Sequence, residues 1–126
     1  MGWDFTSDGM RLVLSPEVTD LVRRRLRPAV EEFLGSAGLA IRDVAHWILH
    51  PGGRRILEAY REAFGGDDRT LEWTQSSLAK VGNLSSASVL FALSDVLESG
   101  RPRGGDRGLM VALGPGFSAE MLVLEW

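Results

Sequence analysis

The chain has 126 residues, 44% of them apolar and 25% charged, with a formal net charge of −3, which is enough for one sizeable core and too little for two. With no cysteine, disulfides, thiolate metal sites and a cysteine nucleophile are excluded from this segment. The mild acidity gives no reason to expect a nucleic-acid partner, no apolar run reaches the ~20 residues of a spanning helix, and the first ten residues lack a signal-peptide pattern, so a cytoplasmic protein without membrane contact is expected.

In chain order, Arg11 to Leu14 reads as a short strand, with Ser15 as the N-cap and Pro16 as the first residue of a helix. Val18, Leu21, Val22, Leu26, Val30 and Phe33 recur at helical spacing and predict one face of a helix ending near Leu34. Pro28 inside it predicts a kink or a break, because proline removes a backbone bond and crowds the carbonyl four residues back. The run Arg23, Arg24, Arg25 and Arg27 reads as the solvated face of that helix, and Gly35 and Gly38 mark a linker.

His46 to Leu49 is a brief apolar strand, His50-Pro-Gly-Gly53 a turn, and Arg54 to Phe64 a helix closed by Gly65-Gly66. Thr74 to Val81 predicts a short helix stopped by Gly82. Ser86 to Ser99 predicts another, so apolar over Ala87 to Leu93 that protein on several sides is expected, with Gly100 as its end. A polar glycine-arginine loop, 100–108, follows. The runs Leu109 to Leu113 and Met121 to Leu124 lack two-residue alternation and read as strands covered on both faces. Residues 1–126 are taken as a single domain.

His50, Asn83 and Gly114-Pro115-Gly116 each lie at a turn beside a buried element. Spacing alone leaves His50 open between a catalytic group and a capping or surface histidine, and His46 reads as a packed or surface histidine. The stretches Trp47-Ile-Leu-His50-Pro-Gly-Gly53, Gly82-Asn-Leu-Ser-Ser-Ala-Ser-Val-Leu-Phe91 and Leu113-Gly-Pro-Gly116 followed by Glu120 resemble, together and in this order, the signatures of the chalcone and stilbene synthase family of type III polyketide synthases. Trp3 and Asp4 resemble the point where the N-terminal half of such enzymes hands over to the C-terminal half.

The resemblance implies the C-terminal half of a thiolase-like fold, α/β, with a mixed sheet of about four or five strands packed against helices. It implies an acyltransferase that loads an acyl starter from coenzyme A onto a cysteine of the missing N-terminal half and then condenses it with malonyl-coenzyme A, with no metal and no tightly bound cofactor. Full-length members are homodimers. His50 and Asn83 match the family's catalytic histidine and asparagine, and their side chains are expected to converge on one cavity. Gly52 and Gly53 allow close approach of a thioester. Arg55 either lines the pantetheine tunnel and reaches a coenzyme A phosphate or is one of a solvated arginine pair.

Ser85 either lines the substrate pocket or caps the following helix, and Leu113, Gly114, Pro115 and Gly116 resemble the loop that shapes the cyclisation pocket. Leu113 stands where plant members carry phenylalanine, which argues against a chalcone product. Two rivals remain: a condensing enzyme like the ketoacyl carrier-protein synthase III of fatty-acid initiation, and a non-enzymatic truncated domain that binds acyl thioesters. Alone, without a thiolate, the 126 residues are expected to be inactive and to expose the apolar surface that a second half would cover.

Overall fold

A histidine followed by three apolar residues, His46 to Leu49, can be buried on both faces only inside a layered structure. The computed structural model, which describes residues 2–13, 15 and 17–126 without the side chains of Trp3, Leu12 and Pro115, shows that arrangement. The strand end at Leu14 and the helix start at Pro16 lie outside the described residues.

The elements are strands β1 (Gly2–Thr6) and β2 (Gly9–Val13), helix α1 (Glu17–Leu21), a π-helical turn (Val22–Leu26), α2 (Arg27–Ser36), β3 (His46–Leu49), α3 (Arg54–Phe64), α4 (Asp68–Val81), α5 (Ser88–Glu98), β4 (Arg107–Gly114) and β5 (Ser118–Glu125). The mixed sheet has the order β3-β4-β5, with β3 parallel and β5 antiparallel to β4. It has three strands rather than four or five, because β1 and β2 form a separate antiparallel hairpin.

The sheet is covered on both faces. On one, Trp47, Leu49, Leu109 and Val111 pack with Val22, Leu26, Val30 and Leu34 and with Ile56, Leu57 and Tyr60 of α3. On the other, Ile48 and Met110 pack with Trp73 of α4 and Val89, Ala92 and Val96 of α5. Period-two geometry sends neighbouring residues of β3 and β4 into opposite cores, which is why neither strand shows polar alternation. β5 differs from the expectation: it is an edge strand, and Leu122 is 57% exposed.

Pro28 does not break its helix. The backbone stays helical from Leu21 through Arg27, and the π turn immediately before the proline takes up the misfit of a ring that crowds the carbonyl of Arg24 and offers it no N–H. Gly35 is the penultimate residue of α2 rather than linker. Beyond Ser36 the helix closes with the bonds Leu39 N–H to Leu34 O (2.9 Å) and Gly38 N–H to Gly35 O (3.0 Å), a paired C-terminal closure. Ser15 caps the other end, its Oγ accepting the Glu17 N–H at 3.2 Å.

α4 begins six residues earlier than the sequence predicts, at an N-cap formed by Asp67, whose carboxylate accepts the Arg69 N–H at 3.0 Å. α4 and α5 form an antiparallel hairpin cross-linked by Lys80 to Asp95 at 2.8 Å and by Arg101 to Glu72. His46 is the packed histidine: its Nε2 donates to Asp106 at 3.0 Å and its ring meets Trp126 edge-on at 5.2 Å. The Arg103 backbone N–H first, and His46 second, hold the Asp106 carboxyl below its usual range.

As a sheet-edge strand, β3 would leave Leu49 with an unpaired N–H and C=O in the core. Thr74 of α4 meets both: its buried Oγ1 accepts the N–H at 3.3 Å and donates to the C=O at 3.1 Å. Thr74→Val keeps the shape and strands both groups, so it is expected to cost about 2–3 kcal/mol in urea unfolding relative to the parent protein. A loss below about 0.5 kcal/mol would show that Leu49 does not depend on Thr74.

Candidate active site

The C-terminal edge of the parallel pair carries two of the three sequence blocks. Leu49 pairs with Val111, so His50 leaves β3 at the level where β4 continues toward Leu113. His50 has its backbone held three times: its N–H donates to Val111 O at 2.9 Å, and its C=O accepts the Gly52 N–H at 2.9 Å and the Tyr60 hydroxyl at 3.1 Å. Tyr60 is fully buried, and burial raises its phenol pKa well above the ordinary value, so it acts there as a fixed neutral donor.

The imidazole itself is half-buried and, among the described residues, makes no hydrogen bond. Burial without a partner pushes its pKa below 6.5. Rigid backbone with an uncommitted, neutral ring at neutral pH is what a group kept for a reacting atom requires.

The turn after His50 is built from residues that allow it. Pro51 is buried, and Gly53 takes φ 111° and ψ 170°, a conformation reserved for glycine, from which its carbonyl receives the N–H groups of Ile56 and Leu57. A Cβ on Gly52 would approach Ile56 to 3.1 Å, a tight contact. Arg54 and Arg55 are exposed in the first turn of α3, without an ion pair among the described residues.

Asn83 sits at the tip of the α4–α5 hairpin. Gly82, with φ 72° and ψ −162°, ends α4 in another conformation open only to glycine. The Asn83 side chain then folds back on its own loop. Its Oδ1 accepts the Ser85 N–H at 3.0 Å and the Ser88 hydroxyl at 3.3 Å. Because a backbone N–H can only donate, the atom facing it is the oxygen, and the amide NH2 is left free to donate elsewhere.

Ser85 holds φ 59°, a left-handed value unusual for a residue with a side chain, and is exposed. It does not itself cap the following helix: a 3-10 turn, Ser85–Ala87, intervenes, and α5 starts at Ser88.

The third block closes β4. Leu113 packs half-buried against the core and pairs with Ala119, Gly114 pairs with Ser118, and a turn over Pro115–Phe117 joins β4 to β5 with Gly116 at φ 71°. The structure thus brings His50 and residues 113–116 to one edge of the sheet. It places Asn83 on a hairpin fastened to the same strand through Thr74, and no hydrogen bond joins Asn83 to His50. The surface depressions lined by Asp68, Arg69 and Glu72 and by Arg27, Glu31 and Leu39 contain none of these residues.

Sequence reading missed Tyr60 and Ser88. Both fall on apolar helix faces, and only the hydroxyls in those positions hinted at a partner. Among the described residues no cluster of three His, Cys, Asp or Glu side chains is placed to hold a metal, and no helix is long and apolar enough to cross a membrane.

Residues 2–126 match the family model of chalcone and stilbene synthases, C-terminal domain. The chain belongs to that family. It is 43% identical over 126 residues to a 1,3,6,8-tetrahydroxynaphthalene synthase of Streptomyces peucetius subsp. caesius, covering all of this chain and 33% of the relative. It is 31% identical over 124 residues to a 3,5-dihydroxyphenylacetyl-CoA synthase of Amycolatopsis balhimycina, covering 98% and 33%. The crystal structure of the tetrahydroxynaphthalene synthase of Streptomyces coelicolor A3(2), a bacterial type III polyketide synthase, superposes with a TM-score of 0.89 at 32% identity, over 99% of this chain and 36% of that one.

The mixed sheet between helices is therefore the thiolase-like architecture of the C-terminal domain of type III polyketide synthases. The chain spans about a third of the length of these relatives.

The environment of His50 makes a titration prediction. The depressed pKa means that the unfolded chain binds the proton more readily. The stability contributed by this group is therefore present above pH 6.5 and is lost as pH falls through the lower folded value. A histidine-resolved NMR titration of the folded protein should place His50 below 6.5, and a midpoint above 6.5 would contradict the description of a half-buried, unpartnered ring.

Proposed function

We propose that the chain supplies the histidine and the asparagine of a type III polyketide synthase site and works with a cysteine carried by a second segment. The observation that carries this reading is His50: three hydrogen bonds fix its backbone at the sheet edge, beside the Gly-Pro-Gly loop, while its imidazole stays uncommitted. The fold, the family and the free NH2 of Asn83 support it.

In the loading step the second segment's thiol gives its proton to neutral His50, and the thiolate attacks the acyl carbonyl of a coenzyme A thioester. The C–S bond to coenzyme A breaks, the acyl group passes to the cysteine, and the coenzyme A thiolate leaves as the thiol by taking the proton back from His50. In the condensation step malonyl-coenzyme A loses CO2. The electron pair of the broken C–C bond becomes an enolate whose negative charge gathers on the thioester oxygen. Two fixed donors, a His50 N–H and the Asn83 NH2, stabilise that oxygen. The carbanion then attacks the cysteine-bound acyl carbon, and the thiolate leaves.

Departing CO2 generates the carbanion, so neither group has to remove a carbon-bound proton, and an amide suffices beside the histidine. Arg55 and the glycines of the turn flank the entering thioester in this reading. Residues 113–116 and Ser85 line the product cavity. The 126 residues by themselves form no acyl intermediate, for want of a thiolate, and the complete enzyme is a homodimer.

The division of labour is testable in the complete condensing enzyme. Asn83→Ala should slow malonyl-coenzyme A decarboxylation by about two orders of magnitude, the usual effect of losing one oxyanion donor, and leave acyl loading, read by intact mass, near the parent rate. His50→Ala should slow both steps. Equal loss of loading in the two variants would show that the roles are wrongly divided.

A further inference from the structure

Asn83 is exposed, on a loop tip, and attached to a side chain with two rotatable bonds, yet the reading above asks it to hold an amide N–H toward one oxygen atom. One of its two hydrogen bonds, to the Ser85 N–H, stays within the loop and moves with it. The other does not. Among the described residues the Ser88 hydroxyl is the one bond tying the Asn83 side chain to a helix, and Ser88 is fully buried at the start of α5, where its helix packs on Ile48 and Met110.

The direction of that bond is set by a third group. The Leu84 N–H donates to Ser88 Oγ at 2.6 Å, so a lone pair of the serine is taken and its hydrogen is left for Asn83 Oδ1. The relay therefore runs from Leu84 N–H to Ser88 Oγ–H to Asn83 Oδ1, with the Ser85 N–H as the second donor on the same oxygen. An oxygen saturated by two donors cannot turn outward without losing both, so the NH2 must.

We infer that Ser88 is a positioning residue, which orients the Asn83 amide as a donor by fixing its carbonyl oxygen to α5. This rests on the role proposed for Asn83. Ser88 is fully buried and acts through Asn83, so its effect should appear only in the step that uses Asn83. An apolar residue at position 88 would serve the core well, so burial alone does not account for a hydroxyl in that position.

The test uses the complete condensing enzyme and the variants Ser88→Ala, Asn83→Ala, and the pair Ser88→Thr and Ser88→Val, which share one shape and differ by a hydroxyl. Ser88→Ala should lower kcat for malonyl-coenzyme A decarboxylation about tenfold, with acyl loading unchanged, and should add no further loss on top of Asn83→Ala. Because Thr and Val perturb packing alike, Ser88→Thr should exceed Ser88→Val by a similar factor even if both lower the melting temperature.

Decarboxylation that is sensitive to Asn83→Ala but equal in the Thr and Val variants would overturn the inference and leave the proposed function standing. Parallel loss of loading and decarboxylation in Ser88→Ala, or further loss on top of Asn83→Ala, would reduce Ser88 to a packing residue. Decarboxylation indifferent to Asn83→Ala would remove the proposed role of Asn83 and this inference with it.

Discussion

The four residues of β3 are the fixed point of the molecule. They are buried on both faces, and the elements that carry candidate residues are attached to them or to His50, the residue just past their end. β4 is attached by the parallel ladder, which fixes the level of the 113–116 turn against His50. α4 is attached by Thr74 to both backbone groups of Leu49, α3 by the Tyr60 hydroxyl to the His50 carbonyl, and α5 by packing on Ile48. Inside a core a missed backbone hydrogen bond is expensive, so these attachments do not slip independently. The site inherits its geometry from a strand that contributes only the residue just past its end.

This dependence explains what could be read from the sequence. Elements whose ends are written in backbone chemistry were legible: α3 runs from Arg54 to Phe64 as read, because Gly53 starts it and left-handed Gly65 stops it. β3 and β4 were legible from unbroken apolar runs. The first half of α4 was not, because Asp68, Arg69 and Glu72 break up the apolar periodicity around Leu71 and Trp73, although Asp67 was available as a cap signal. β1 is absent from the sequence reading although the Ser7-Asp8 turn before Gly9 marks its hairpin. At Pro28 the helix deforms without breaking, because the π turn before it relaxes the constraint that proline places on an α-helix.

Of the candidate site, the three motif blocks name the candidate residues, whereas the groups that hold them are not legible in the sequence. Nothing in a one-dimensional pattern distinguishes Tyr60 or Ser88 from core positions. Each differs from a neighbour only by a hydroxyl whose partner lies ten residues away in one case and five in the other. α5 shows a complementary limit. Its uniform apolar stretch predicts cover on several sides, and Val89, Ala92 and Val96 are covered while Leu90, Phe91 and Leu97 remain 58%, 44% and 55% exposed. That open apolar strip agrees with the proposal that a second, cysteine-bearing segment completes the protein.

The central claim is that two donors from different elements, one after β3 and one at the α4–α5 tip, meet at a single thioester oxygen. The most direct measurement is a crystal structure of the complete condensing enzyme with a non-decarboxylating malonyl thioester analogue bound. The account predicts an imidazole nitrogen of His50 and Nδ2 of Asn83 both about 3 Å from the thioester oxygen, with Asn83 Oδ1 still facing Ser85 and Ser88. An analogue held with the His50 and Asn83 side chains on opposite faces of the domain would contradict it.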